Sequence, residues 1–363
     1  MATLLKDKLL NPAQIHNFAQ SIHQANHNFD PQKFTTTLLQ TPWPTLELKQ
    51  RMLKLTRTLA KFLPPDYPEA LQILVASVGK YEGFCNLCLC EFVSEYGLAH
   101  YDASIAALEI FTQHGTAEFA IRPFILTYPQ TMQQLQSWTQ HPSEHVRRLA
   151  TEGCRPVLPW GIAIKQFQLD PSPILPIITA LRHDTSQYVR RSVANNLNDI
   201  SKTHPALVLQ LAAQWIGHSP NTDRLVKHAL RTLLKKGNLQ AMALFNFAPA
   251  PTLSITEIQI PQNVQIGDDL NFSFLITTEK GKTQKIRLEY RISFVRKNGS
   301  THPKTFFISE TELTDTSKLF SKKHSFRPIS TRTYYPGTHQ LEIVLNGQIH
   351  HKTTFELKLA ISE

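Results

Sequence analysis

Apolar residues recur at helical spacing through the first two thirds of the chain. The runs LELKQRMLKLTRTLAKFL (46–63), PEALQILVASVGK (68–80), DASIAALEIFTQHG (102–115) and PALVLQLAAQWIG (205–217) predict helices separated by short breaks at Pro, Gly or capping residues. One run has an unusual second face. Val189, Val193, Leu197 and Ile200 step by four, four and three onto a single stripe, and beside it lie Tyr188, Ser192, Asn195, Asp199 and Lys202. Asparagine and aspartate compete with the helix for backbone hydrogen bonds. A stripe of them next to a core face predicts a surface turned toward something polar.

The period changes at FNFAPAPTLS (245–254). Beyond it LNFSFLITT (270–278), KIRLEYRISFV (285–295), KTFFIS (304–309) and HQLEIVLNG (339–347) alternate or are rich in β-branched and aromatic residues, with turns at TEKGK, RKNGS and YYPGT. The pattern predicts an α-helical domain at 1–247, a linker at 248–254 and an antiparallel β-sandwich at 255–363.

The helical part repeats itself. HPSEHVRRLATEG (141–153) and HDTSQYVRRSVANN (183–196) align on Val146-Arg147-Arg148 and Val189-Arg190-Arg191, and NTDRLVKHALRTLLKKG (221–237) aligns Val226-Lys227-His228. A spacing near 40 residues between helix pairs is the signature of a HEAT-like solenoid, whose stacked repeats make a concave binding surface.

Charge sharpens this picture. The chain carries 38 Lys and Arg against 28 Asp and Glu, and residues 140–240 alone hold 13 basic and 6 acidic residues. Basic charge gathered in one region is the footprint of a polyanion binder. Arg147 and Arg190 take the repeat position of Lys227, and Arg224, Lys227, Arg231 and Lys235 fall on one predicted helix face. Aligned repeats would make these a ridge for successive phosphates, against the alternative of a solvated face. Glu152 and Asn195 are equivalent in the repeat, and Asp199 follows one turn later. A carboxylate beside a basic ridge suits a cationic target or a developing positive charge; the alternative is a salt bridge to a neighbouring arginine.

Other chemistry is sparse. Cys85, Cys88 and Cys90 read as core residues, without a His/Cys partner cluster for a metal, and there is no phosphate-cradling Gly loop. Neither metal nor organic cofactor is expected. The N-terminus lacks a signal-peptide core and no run is long enough for a membrane span, which predicts a cytoplasmic protein without a membrane partner.

Taken together, HVRRLATEGCRPVLPWG (145–161), YVRRSVANNLNDISKTHP (188–205) and LVKHALRTLLKKGN (225–238) resemble the HEAT-like DNA alkylation repair glycosylases, and the opening LLKDKLLNPAQIHNFAQSI and the following sandwich resemble the AlkC branch. The resemblance implies an immunoglobulin-like C-terminal domain. It also implies excision of cationic N3-methylated bases, 3-methyladenine and 3-methylcytosine, from double-stranded DNA without base flipping. On this reading Asp199 is the catalytic carboxylate, with Glu152 and Glu118 in support. Arg148, Arg155, Arg190, Arg191, Asn195, Lys227, Arg231 and Lys235 would contact DNA, and Trp160 would offer a π face to the cationic nucleotide. A lesion-scanning enzyme of this kind needs no second copy, so a monomer is expected. Two other readings stand beside it: a non-catalytic DNA-damage binder of the same superfamily, and a HEAT/Ig scaffold for protein partners.

Overall fold

The computed structural model describes residues 4–249, 253–278, 283–314, 317–329 and 332–359. Parts of the predicted linker (250–252) and of the predicted TEKGK turn (279–282) lie outside the described residues. The chain divides into two compact units, Met1–Val208 with Gly217–Ala229, and Leu209–Ile216 with Leu230–Glu363.

In the first unit the predicted helices stand at Leu48–Phe62, Tyr67–Ser77 and Tyr101–Phe111. Local chemistry sets where several helices begin. Asn11 and Asp30 accept backbone hydrogen bonds at their N-caps, each followed by a proline whose missing N–H costs nothing there. Asp66 caps the Tyr67–Ser77 helix through Glu69 N. The three repeat helices are Glu144–Gly153, Gln187–Ile200 and Pro220–Ala229, and they pack side by side in that order. Their aligned valines, Val146, Val189 and Val226, are all buried, so the repeat seen in the sequence is the core register of the stack. Helices Gln130–Trp138 and Leu175–Ala180 pack against the first of them.

The third copy departs from expectation. Its helix stops at Ala229; Leu230 has ψ near 3°, and a separate short helix, Arg231–Lys235, follows. Arg224, Lys227, Arg231 and Lys235 therefore do not form one continuous helix face. The four cysteines are buried free thiols, and burial pushes Cys85 up to about 11 and Cys154 to about 12. They are inert packing residues at neutral pH. Among the described residues no helix is long and apolar enough to cross a membrane.

Among the described residues the second unit holds eight strands: β1 (Ser254–Gln259), β2 (Asn263–Gln265), β3 (Asp269–Thr277), β4 (Gln284–Val295), β5 (Thr301–Leu313), β6 (Ser317–Ser325), β7 (Gly337–Leu345) and β8 (Gln348–Lys358). They form a sheet β1-β3-β6 and a sheet β2-β8-β7-β4-β5. Alternate residues of β3 (Leu270, Phe272, Phe274, Ile276) and β4 (Ile286, Leu288, Tyr290, Ile292, Phe294) share one core with β7 and β8, which is sandwich packing. The sheets are not wholly antiparallel, because β2 runs parallel to β8. β1, β2, β6 and β8 escaped the sequence pattern. Lysines stand at outward positions of β6 and β8, and β6 is an edge, where lysine blocks further strand pairing.

Candidate active site

Packing of the Glu144–Gly153 helix on the Gln187–Ile200 helix brings together acids that lie 47 positions apart in the numbering. Arg155, just beyond the first helix, joins them. Its Nη1 donates to Glu152 Oε1 at 2.6 Å and its Nε to Asp199 Oδ2 at 2.8 Å. Asp199 Oδ1 accepts from Lys202 Nζ at 2.9 Å, and Glu152 Oε2 from Ser192 Oγ at 2.5 Å. On the other side Arg148 makes a two-point contact with Glu118, at 3.1 and 3.2 Å, and donates to Thr116 Oγ1 at 3.0 Å. The same guanidinium lies 3.9 Å from Glu152 and 4.6 Å from the centre of the Tyr188 ring. The result is an alternating row: Glu118, Arg148, Glu152, Arg155, Asp199, Lys202.

Burial gives this row its energetics. Glu118, Glu152, Asp199 and Arg155 are buried, whereas the Lys202 side chain is 45% exposed. For Arg148 and Arg155 burial opposes the charge, but Glu118 on the one and Glu152 with Asp199 on the other raise both above the ordinary guanidinium value. Every carboxylate is thus matched by a cation, and only the lysine at one end is free to leave. The polar stripe of the 192–202 run is the floor of this arrangement. Ser192 and Asp199 are buried in it, while Tyr188 and Lys202 stand at its exposed rim.

The predicted DNA contacts fall into several groups. Arg148 and Arg155 are held by carboxylates and organise the acids. Arg190 Nη1 donates to the carbonyls of Asp184 and Thr185 at 2.6 and 2.8 Å, and Arg147 Nη1 treats His141 and Pro142 the same way at 2.9 and 2.8 Å. Arg147 also pairs with Asp184 at 2.6 Å. This repeated arginine locks the turn before its own helix, and that explains its recurrence without a ridge of phosphate contacts. Arg191, one residue on, is exposed. Asn195 is half-buried and accepts from His228 Nε2 at 3.0 Å. Lys227 lies half-buried on the Pro220–Ala229 helix, and on the separate short helix Arg231 is half-buried and Lys235 exposed. Trp160 is not packed: it is 78% exposed, with Val157 and Ile162 exposed beside it, on a loop where its own φ is 68°. Its carbonyl accepts from Lys49 Nζ at 3.1 Å.

Sequence reading missed Arg122 and the roles of Ser192 and Tyr188. Arg122 is fully buried in the Ile121–Thr127 helix. Nothing in the local pattern IRPF marks such a residue, because its burial follows from packing against residues some 30 positions later. Among the described residues no group of three or more His, Cys, Asp or Glu side chains is placed to hold a metal ion.

Comparison with known proteins bears on the family and the fold. A family model described as DNA alkylation repair enzyme matches residues 89–235, and one described as uncharacterised protein YhaZ, C-terminal Ig-like domain, matches 254–359. The uncharacterized protein YhaZ of Bacillus subtilis is 43% identical over 353 residues, covering 96% of this chain and 98% of its own. The solved structure of the Pseudomonas fluorescens alkylpurine DNA glycosylase AlkC, bound to DNA containing an abasic site analog, superposes with a TM-score of 0.93. It is 34% identical and covers 98% of this chain and 100% of its own.

Proposed function

We propose, because the chain belongs to the DNA alkylation repair enzyme family with an AlkC-like fold and a YhaZ-type Ig-like domain, that it is a DNA glycosylase excising cationic N3-methylated bases. The observation that carries the proposal is the row of three buried carboxylates interleaved with arginines across the helical repeats.

The chemistry follows from charge. A 3-methyladenine or 3-methylcytosine already bears a positive charge, so it leaves without a general acid. As the N-glycosidic bond lengthens, the deoxyribose takes on oxocarbenium character, as in other glycosidic hydrolyses. Asp199 stabilises that cation and orients the attacking water. Its Oδ2 is fixed by Arg155, while its Oδ1 is covered by Lys202, which swings out because its side chain is half exposed. Glu152 holds Arg155 in place, and Ser192 holds Glu152. Glu118 does the same for Arg148, whose guanidinium backs the Tyr188 ring. The acids act on the sugar, so the base need not leave the stack. Trp160, projecting from its loop, meets the lesion nucleotide, and exposed cations such as Arg191 hold the flanking phosphates.

The test is release of 3-methyladenine and 3-methylcytosine from methylated duplex DNA by the wild type and by Asp199→Ala. Release by the wild type, lost in the variant with DNA binding kept, is the expected result. No release by the wild type, with tight salt-sensitive binding, would make the protein a damage binder instead. Absence of DNA binding would point to a protein scaffold.

A further inference from the structure

Arg122 has the most demanding environment of any charged side chain described. It is 0% exposed and has no carboxylate within bonding distance. Its Nε donates to the carbonyl of Ile162 at 2.5 Å, its Nη1 donates to the carbonyl of Gly153 at 2.7 Å, and its Nη2 has no partner. Burial pulls the group down to about 10, with the charges of Asp199 and Glu152 acting the other way. A buried guanidinium held only by backbone is expensive, and such violations of local rules gather at functional sites.

Its two acceptors say what it does. Gly153 ends the helix that carries Glu152, and a cation at a helix C-terminus complements the partial negative charge there. Ile162 belongs to the loop that presents Trp160, two residues from the tryptophan. The approach that lets Arg122 reach Gly153 needs glycine: a Cβ there would lie 2.6 Å from Ile121 Cγ2. Besides Arg122 the loop has sparse ties: Gly161 N to Leu158 O at 3.0 Å, Ile164 N to Pro156 O at 3.1 Å, and the exposed Lys49 Nζ to the Trp160 carbonyl at 3.1 Å. Its exposed apolar residues would otherwise leave it mobile.

We infer that Arg122 is a positioning residue: it clamps the Trp160 loop to the end of the Glu152 helix, fixing the exposed tryptophan relative to the carboxylate row. The catalytic part of this inference rests on the glycosylase reading above; the clamp itself does not. A rigid loop sets where the lesion sugar meets Asp199, and a displacement of an ångström at such a site costs on the order of 100-fold in rate.

The protein contains its own probe. Of the four tryptophans, Trp43, Trp138 and Trp215 are buried and Trp160 is exposed, so iodide quenching selects Trp160. The experiment compares wild type, Arg122→Met and Arg122→Lys by fluorescence anisotropy of the quenchable component and by single-turnover release of 3-methyladenine. Affinity for DNA holding an abasic-site analogue is measured alongside. In the methionine variant the Trp160 signal is expected to gain nanosecond motion and excision to fall about 100-fold, with affinity within about threefold; lysine restores much of both. A folded methionine variant with unchanged Trp160 anisotropy overturns the clamp, as does a rate loss matched by an equal loss of affinity. Should methionine prevent folding, hydrogen exchange of the wild type decides. The Gly161 and Ile164 amides must be protected far beyond what a surface loop shows, and free exchange overturns the proposal. If the wild type releases no base, the glycosylase reading fails while anisotropy and exchange still judge the clamp.

Discussion

Arg155→Met removes the one side chain that joins Glu152 to Asp199. Methionine retains the apolar stem but donates nothing, so Glu152 Oε1 loses a bond of 2.6 Å and Asp199 Oδ2 loses one of 2.8 Å. Both acids are about 95% buried. Breaking a buried pair by removing one partner costs roughly 3–5 kcal/mol, because the remaining charge is left uncompensated. Here Ser192 still serves Glu152 and Lys202 still serves Asp199. The loss should therefore sit near the lower end, about 3 kcal/mol, which for a unit of this size lowers Tm by roughly 6–12 °C. The sharper consequence is non-additivity. Asp199→Asn takes away the charge that Arg155→Met strands, so the double variant should lose less than the sum of the singles by about 1–3 kcal/mol. Urea denaturation of the four proteins, followed by far-UV circular dichroism, reads all sides of the cycle. Additivity within about 0.5 kcal/mol would refute the shared ion-pair argument.

Three further outcomes are expected. Gly153→Ala forces its Cβ against Ile121 Cγ2, at 2.6 Å before any shift, and should cost about 1–3 kcal/mol in thermal denaturation. Arg191→Ala should weaken DNA binding and reduce the salt slope by about 1 with stability unchanged, whereas Arg190→Ala, which frees two turn carbonyls, should lower stability more than the salt slope. In the second unit burial, helped by Arg332 and Lys304, pushes His324 down to about 4. The unfolded chain then binds the proton first. Stability is therefore full above pH 6.5 and falls by about 3 kcal/mol as pH drops toward 4, with His339 adding slope of the same sign. His324→Phe should flatten that slope in acid denaturation of the full chain.

The helical repeats and the change to strands were legible because each depends on local periodicity; the repeat register related Glu152 and Asp199, whereas Glu118 came only from the family resemblance. Val146, Val189 and Val226 mark the stacked core just as their spacing predicts. Asp199 sits one turn from Asn195 on the stripe that the helical period defines, and the AlkC-like fold and family match the resemblance carried by these segments. The helix break at Leu230 was not legible. The sequence from 221 to 237 keeps a helical rhythm through it, so a 3.6-residue pattern continues where the backbone does not. Strands β6 and β8 were lost for a related reason: their apolar positions are too few to outweigh the lysines and histidines between them.

The arginines show the limit most clearly. Arg147, Arg148, Arg155, Arg190 and Arg191 look alike as sequence, and their common sign suggested a common partner. The fold divides them by what lies opposite. Arg148 meets Glu118, Arg155 meets Glu152 and Asp199, Arg147 and Arg190 meet turn carbonyls, and Arg191 meets solvent. Arg122, which gave no signal at all, became a fully buried charge. Sequence alone determined which residues share a face, since that is set by bonds within one helix. Only tertiary structure decided which distant charges meet, because Arg148 and Glu118, Arg147 and Asp184, and Arg155 and Asp199 lie 30, 37 and 44 residues apart and come together only when separate helices pack.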